Sequence, residues 1–173
     1  MLVNLREKRW RSSLHGWFKM SDKGDDKSNL SRQKKKILFL CTNNSARSQM
    51  AEGLLKVLGN NDYEVYCAGI SPRVNPYAIK VMAEIGIDIS NSRSKSIDVF
   101  QGEEFYYVVT LCDHAKKICP FFPDSKEHLH KNFTDPVGIE EGEDELLNIF
   151  RGVRDEIKDW IEKTFISPPL LSE

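Results

Sequence analysis

Four consecutive apolar residues, Ile37-Leu38-Phe39-Leu40, run directly into Cys41, and a helical pattern opens a few residues later. A short continuous apolar run of this kind reads as a strand buried on both faces, which requires a layer above it and a layer below. From Ser45 onward, Met50, Leu54, Leu55 and Leu58 recur at helical spacing, and Gly59-Asn60-Asn61 supplies the stop. The pattern then returns. Glu64-Val65-Tyr66-Cys67 reads as a strand, and Asn75-Pro76 as the N-cap and first residue of a helix that turns Ile79, Met82 and Ile85 inward and ends at Gly86. A third strand from Phe105 to Leu111 is rich in aromatic and β-branched residues and runs into Cys112. The last helix places Leu146, Phe150, Val153, Ile157 and Trp160 on one stripe. Strands alternating with helices imply a mainly parallel sheet covered on both faces, and the lack of repeats of about 20–50 residues excludes a solenoid.

The 173 residues, 40% hydrophobic and 29% charged, suit one compact domain large enough to need no disulfide or structural metal. No apolar stretch approaches the ~20 residues of a membrane span. Charge is uneven: residues 1–36 hold 11 basic and 4 acidic side chains, and the rest of the chain holds 14 basic and 22 acidic. An acidic folded part argues against nucleic-acid binding, so any anion must be captured locally. The polar segment 1–35, with its stretch Ser21-Asp22-Lys23-Gly24-Asp25-Asp26, reads as a disordered basic tail. It also fits a targeting or membrane-surface peptide, or a start placed too early with Met20 as a later candidate. The domain then covers 36–166, with a short C-terminal tail at 167–173. Four cysteines without a secretory leader point to a reducing, cytoplasmic setting, where thiols are catalytic, metal-binding or buried.

Cys41-Thr42-Asn43-Asn44-Ser45-Ala46-Arg47-Ser48 is a Cys-x5-Arg-Ser loop between a buried strand and a helix. Ligands of open α/β sheets bind beyond the carboxyl ends of strands, where this loop must sit. Its successive backbone N–H groups form a concave anion site, and the planar fork of Arg47 suits a tetrahedral oxyanion. The same field favours the thiolate of Cys41 as nucleophile, with Ser48 as hydrogen-bond donor to it.

The segment from Cys41 through Gln49-Met50-Ala51-Glu52-Gly53 resembles the low-molecular-weight protein tyrosine phosphatase superfamily, and within it the thioredoxin-coupled arsenate reductases. The resemblance continues through Tyr66-Cys67-Ala68-Gly69-Ile70, Val74-Asn75-Pro76, Asp88-Ile89-Ser90, Val108-Val109-Thr110-Leu111-Cys112, Cys119-Pro120, Asp135-Pro136 and Val153-Arg154-Asp155-Glu156-Ile157. It implies an α/β fold with a central four-stranded parallel sheet, helices on both faces and the anion loop after the first strand. It also implies arsenate as substrate, with phosphate as analogue, and Asp135 as the acid that protonates the departing oxygen. Without the resemblance, Asp135-Pro136 reads as turn initiation. Related phosphatases often place tyrosines after this Asp-Pro, whereas Val137-Gly138 stand here, which lowers the odds of the alternative activity, a tyrosine or arginine phosphatase.

A phosphatase needs one cysteine, so Cys112 and Cys119 ask for a separate explanation. Seven positions apart on a helix they share a face but sit ~10.5 Å apart along the axis, and a disulfide needs Cα atoms within ~7 Å. They can join only if the helix unwinds. A redox relay fits this pair, while burial or metal ligation stays open, though the spacing is not usual for zinc and no metal is expected. The resemblance implies the order: Cys41 attacks arsenate, Cys112 attacks Cys41, and Cys119 closes a disulfide with Cys112 that thioredoxin reduces.

Cys67 reads as a small buried hydrophobe. Relatives that bind potassium use residues matching Asn44, Glu52, a serine at position 67 and an aspartate at position 95. Cys67 and Lys95 stand here, so the resemblance implies a lysine ammonium in place of the cation. Asn43 occupies a common glycine position, which asparagine tolerates through its ease in left-handed conformations. His15, His114, His128 and His130 have no evident carboxylate partner and read as surface residues. Glu140-Glu141-Gly142-Glu143-Asp144-Glu145 reads as a solvated loop and an acidic helix start. Nothing demands more than a monomer.

Overall fold

The computed structural model describes residues 33–69, 74–118, 122 and 125–167. Nearly all of the expected tails, and Cys119, lie outside the described residues. Four strands, β1 Lys35–Leu40, β2 Tyr63–Ala68, β3 Tyr107–Thr110 and β4 Glu127–His130, form one parallel sheet in the order β2-β1-β3-β4. Central β1 has Ile37, Leu38, Phe39 and Leu40 all essentially inaccessible. Successive strand residues face opposite sides, so both faces of β1 are covered.

β1 takes in Lys35, the last residue of the expected tail, as well as Lys36, and the two pair with Tyr63 and Glu64. Their side chains are at least partly exposed, and Lys36 pairs with Glu103, so polarity hid their place in the sheet. The third strand is shorter than its aromatic run suggests. Phe105 lies outside the ladder but is buried against Tyr66, Phe100 and Phe122.

Helix α1, Arg47–Leu58, starts two residues later than its apolar spacing suggests and buries Met50, Leu54 and Leu55. Helix α2, Pro76–Glu84, is capped by Asn75, whose side chain accepts from the amide of Tyr77. It buries Ala78, Val81 and Met82, while Ile85, expected inward, is 39% exposed because the helix ends before it and Gly86 turns left-handed at φ 77°. Helix α3, Asp113–Ile118, is short, and α4, Glu143–Ile161, buries Phe150, Val153, Ile157 and Ile161 before a π-helical turn over Glu162–Ile166. Phe165 in that turn packs its ring on Phe39, Tyr63, Tyr107 and Trp160.

The parallel arrangement has one functional consequence. All four strands end at the same edge of the sheet, so Cys41, Gly69, Cys112 and the segment after His130 emerge side by side.

Candidate active site

Cys41 makes its last sheet bond through its amide to the carbonyl of Ala68 (3.3 Å), and the chain then folds back on itself. The turn is made at Asn44, φ 48°, and not at the neighbouring Asn43 where the sequence suggested it. Asparagine enters the left-handed region more readily than most residues. Here its amide N–H donates to Cys41 Sγ at 3.2 Å.

Behind the sulfur, Ser48 Oγ lies 2.9 Å from Cys41 Sγ and accepts from Asn44 Nδ2 at 2.9 Å. With Asn44 supplying that proton, the hydroxyl's own proton is free to point at the sulfur. Asn44 is fully buried, and its side-chain oxygen accepts from the Lys95 amide (2.8 Å) and from Gln49 Nε2 (3.0 Å). The Asn75 amide donates to the carbonyl of Ser45 at 2.7 Å. Gly69 closes the back: a Cβ there would stand 2.5 Å from the Cys41 carbonyl oxygen and 2.6 Å from the Asn44 nitrogen. Gln49, Gly69 and Asn75 support the loop from positions that carry no reactive group, so the motifs that contain them give no sign of this role.

Arg47, 5% exposed at the first position of α1, donates from Nη1 to the Phe133 carbonyl (3.1 Å) and from Nη2 to Asp135 Oδ2 (2.5 Å). Asp135 is 41% exposed, and its other oxygen accepts from the Val137 amide at 3.1 Å. The guanidinium expected to grip an oxyanion is therefore held by a carboxylate from the loop after β4. Thr42, the second residue of the loop, reaches Cys112: its Oγ1 lies 3.3 Å from Cys112 Sγ. Cys112 is buried, and the Ala115 amide donates to its sulfur at 3.4 Å. Helical backbone runs from Asp113 to Ile118, directly after Cys112, and Cys119 lies outside the described residues.

Two residues expected to be bland are engaged. Cys67 is fully buried, but its thiol donates to Glu52 Oε2 at 2.6 Å. Burial foremost, and the Glu52 carboxylate with it, pushes this thiol well above its ordinary range. Glu52 also bonds Lys56 and has Lys95 Nζ 3.8 Å away. A carboxylate already shared by two ammonium groups and a thiol proton, with a soft sulfur at position 67, does not fit a hard potassium ion. His130, read as a solvated histidine, lies 2.9 Å from Thr110 Oγ1 through Nδ1 and 3.1 Å from Asp113 Oδ1 through Nε2. Its carboxylate partner is 17 positions away and reachable only through the pairing of β3 with β4.

Among the described residues no three His, Cys, Asp or Glu side chains cluster as a metal site requires, and no helix is long and apolar enough to cross a membrane. Residues 36–167 match the family described as low molecular weight phosphotyrosine protein phosphatase. An arsenate reductase from Halalkalibacterium halodurans is 50% identical over 133 residues, covering 76% of this chain and 95% of that protein. One from Oceanobacillus iheyensis is 45% identical over 130 residues, covering 75% and 94%. A solved arsenate reductase in its phosphate-binding state superposes with a TM-score of 0.65 at 37% identity, covering 75% of this chain and 95% of that one. An arginine phosphatase from Geobacillus stearothermophilus shares the fold at 25% identity and a TM-score of 0.60, covering 75% and 89%. By fold, by loop and by these matches, the chain belongs to the low molecular weight phosphotyrosine protein phosphatase family, with arsenate reductases among its relatives.

Proposed function

We propose that this protein reduces arsenate to arsenite by a relay of Cys41, Cys112 and Cys119, with thioredoxin as the electron donor. The observation that carries the reading is the second thiol at the rim of the loop. Cys112 is bonded to Thr42, whereas a phosphatase cycle through Cys41 has no use for it.

Arsenate binds on the loop amides from Thr42 to Arg47, and Cys41 attacks arsenic. Asp135, displaced from Arg47 by the bound anion, takes up the proton that Cys41 gives up on attack and delivers it to the departing oxygen, which leaves as water and gives a Cys41 thiol-arsenate ester. Cys112 then attacks the Cys41 sulfur. The sulfur–arsenic bond breaks with its electron pair remaining on arsenic, so As(V) becomes As(III) as the Cys41–Cys112 disulfide forms. Cys119 attacks Cys112, expelling Cys41 as thiolate, and the thioredoxin dithiol reduces the resulting Cys112–Cys119 disulfide by two electrons. That third step requires the segment after Cys112 to open if its helix runs on to position 119, because helical backbone would hold positions 112 and 119 too far apart for a disulfide.

No metal or bound cofactor enters this scheme, and the Lys95 ammonium beside Glu52 takes the place of a potassium ion, so turnover is equal in potassium and sodium. The reading places the catalytic domain at 36–166 as a cytoplasmic monomer. The test is arsenate-dependent NADPH oxidation with thioredoxin and thioredoxin reductase, run on the wild type and on Cys119→Ser. Wild-type turnover that collapses in the variant is the expected result.

The arginine phosphatase neighbour favours one second reading, hydrolysis through a cysteinyl-phosphate. Under it Cys112→Ser and Cys119→Ser leave turnover of a phosphorylated substrate intact, and neither wild type nor variant oxidises NADPH with arsenate.

A further inference from the structure

A helix of six residues cannot hold itself folded in water, since isolated helices are marginal below about 12–15 residues. Helix α3 therefore depends on anchors. Its first residue, Asp113, has both carboxylate oxygens taken by the segment that leaves β4: Oδ1 lies 3.1 Å from His130 Nε2, and Oδ2 accepts from Asn132 Nδ2 at 3.2 Å.

The tautomer of His130 follows from its other partner. Thr110 is paired with His130 across β3 and β4, and its hydroxyl has one proton, closer to His130 Nδ1 (2.9 Å) than to the alternative acceptor, the Leu129 carbonyl (3.4 Å). With Thr110 donating to Nδ1, the neutral ring carries its proton on Nε2 and donates to Asp113. On the other side of Cys112, Leu111 is fixed through its amide to the Leu40 carbonyl (2.8 Å) and through its carbonyl to the Phe133 amide (3.2 Å). Cys112 thus stands between two anchored residues, one tied to the sheet and one to the loop beyond β4.

We propose that His130 and Asn132 are positioning residues for Cys112: through Asp113 they hold the first turn of α3 folded, and so set how readily that segment opens for disulfide exchange. The proposal rests on the relay reading above. The clamp belongs to the helical, reduced form, so weakening it shifts the dithiol–disulfide balance toward the disulfide.

The test uses the full chain as wild type, His130→Ala and His130→Gln, the glutamine amide retaining an N–H that can reach Asp113. Amide exchange is followed at Ala115 and Lys116. The Cys112–Cys119 pair is equilibrated with glutathione, each protein dithiol giving two electrons and two protons to one oxidised glutathione to leave a protein disulfide and two reduced glutathiones. Loss of one hydrogen bond corresponds to about a three- to tenfold change. His130→Ala is expected to exchange faster at both amides and to favour the disulfide by that factor, His130→Gln to restore much of both, and inorganic phosphate affinity to be the same in all three.

Unchanged exchange in His130→Ala overturns the clamp. Faster exchange with an unchanged glutathione equilibrium overturns its link to Cys112. If the wild type forms no Cys112–Cys119 disulfide at all, the relay reading fails and the redox half of the proposal with it, while the exchange data still decide whether His130 holds α3.

Discussion

Arg47 Nη2 stands 2.5 Å from Asp135 Oδ2, joining the first residue of α1 to a loop 88 positions further on. A tetrahedral oxyanion on the Cys41 loop and the Asp135 carboxylate draw on the same guanidinium, so anion binding and release of Asp135 from its ion pair are one event. Asp135→Asn removes the competing charge and, under the proposed mechanism, the group that delivers a proton to the departing oxygen. Arsenate turnover is expected to fall by about 10²–10⁴-fold, the usual worth of a general acid, while inorganic phosphate binds as tightly as before or more tightly. Weaker phosphate binding in the variant would show that Asp135 helps to build the anion site rather than competing for it.

Ser48 is placed to give its proton to Cys41 because Asn44 supplies the other bond to its oxygen. Ser48→Ala removes the hydroxyl beside the sulfur, and a hydrogen bond to the thiolate form through which a cysteine reacts is worth about 1.5–3 kcal/mol. Alkylation of Cys41 by iodoacetamide at neutral pH is expected to slow by at least about tenfold. An unaltered rate would mean that the loop amides alone sustain the nucleophile.

Gly69 touches the loop only through the space it leaves. A methyl group there meets backbone atoms of Cys41 and Asn44 at 2.5 and 2.6 Å, and neither can move without breaking the turn. Gly69→Ala is expected to cost about 1–3 kcal/mol of stability, the range for overpacking, and to abolish phosphate binding at temperatures where the variant is still folded. Urea unfolding and phosphate titration on one sample check both, and a folded variant with wild-type phosphate affinity would refute the account.

The path from sequence to site was legible wherever chemistry and periodicity coincided. The apolar run ending at Cys41, the loop to Ser48 and the N-cap at Asn75 all declare themselves locally, because each depends on neighbours in the chain. Strand β4 does not: Glu127-His128-Leu129-His130 has one apolar residue and lies at the sheet edge beside β3, where polar side chains meet solvent. For the same reason His130 gave no sign of its carboxylate, which arrives through strand register. Cys67 was read correctly as buried, but Glu52 comes to it from the facing side of α1, and no spacing rule links a helix residue to a strand residue 15 positions on.

That buried thiol gives a pH prediction with a definite sign. Burial, and then Glu52, raise the Cys67 thiol well above its reference value of 9.0, so the folded protein keeps a proton that the unfolded chain gives up. Stability from this group is complete below pH 9.0 and is lost as pH rises beyond it, with a limiting slope of about 1.4 kcal/mol per pH unit. Cys67→Ser keeps a donor for Glu52 but does not titrate in this range. Urea unfolding of the two proteins from pH 7 to 10 is therefore expected to give a constant difference up to about pH 9 and then a steady relative loss in the wild type. Subtracting one curve from the other removes the tyrosines and lysines that titrate in both. Parallel curves through pH 10 would mean that Cys67 ionises as easily in the folded protein as in the unfolded chain.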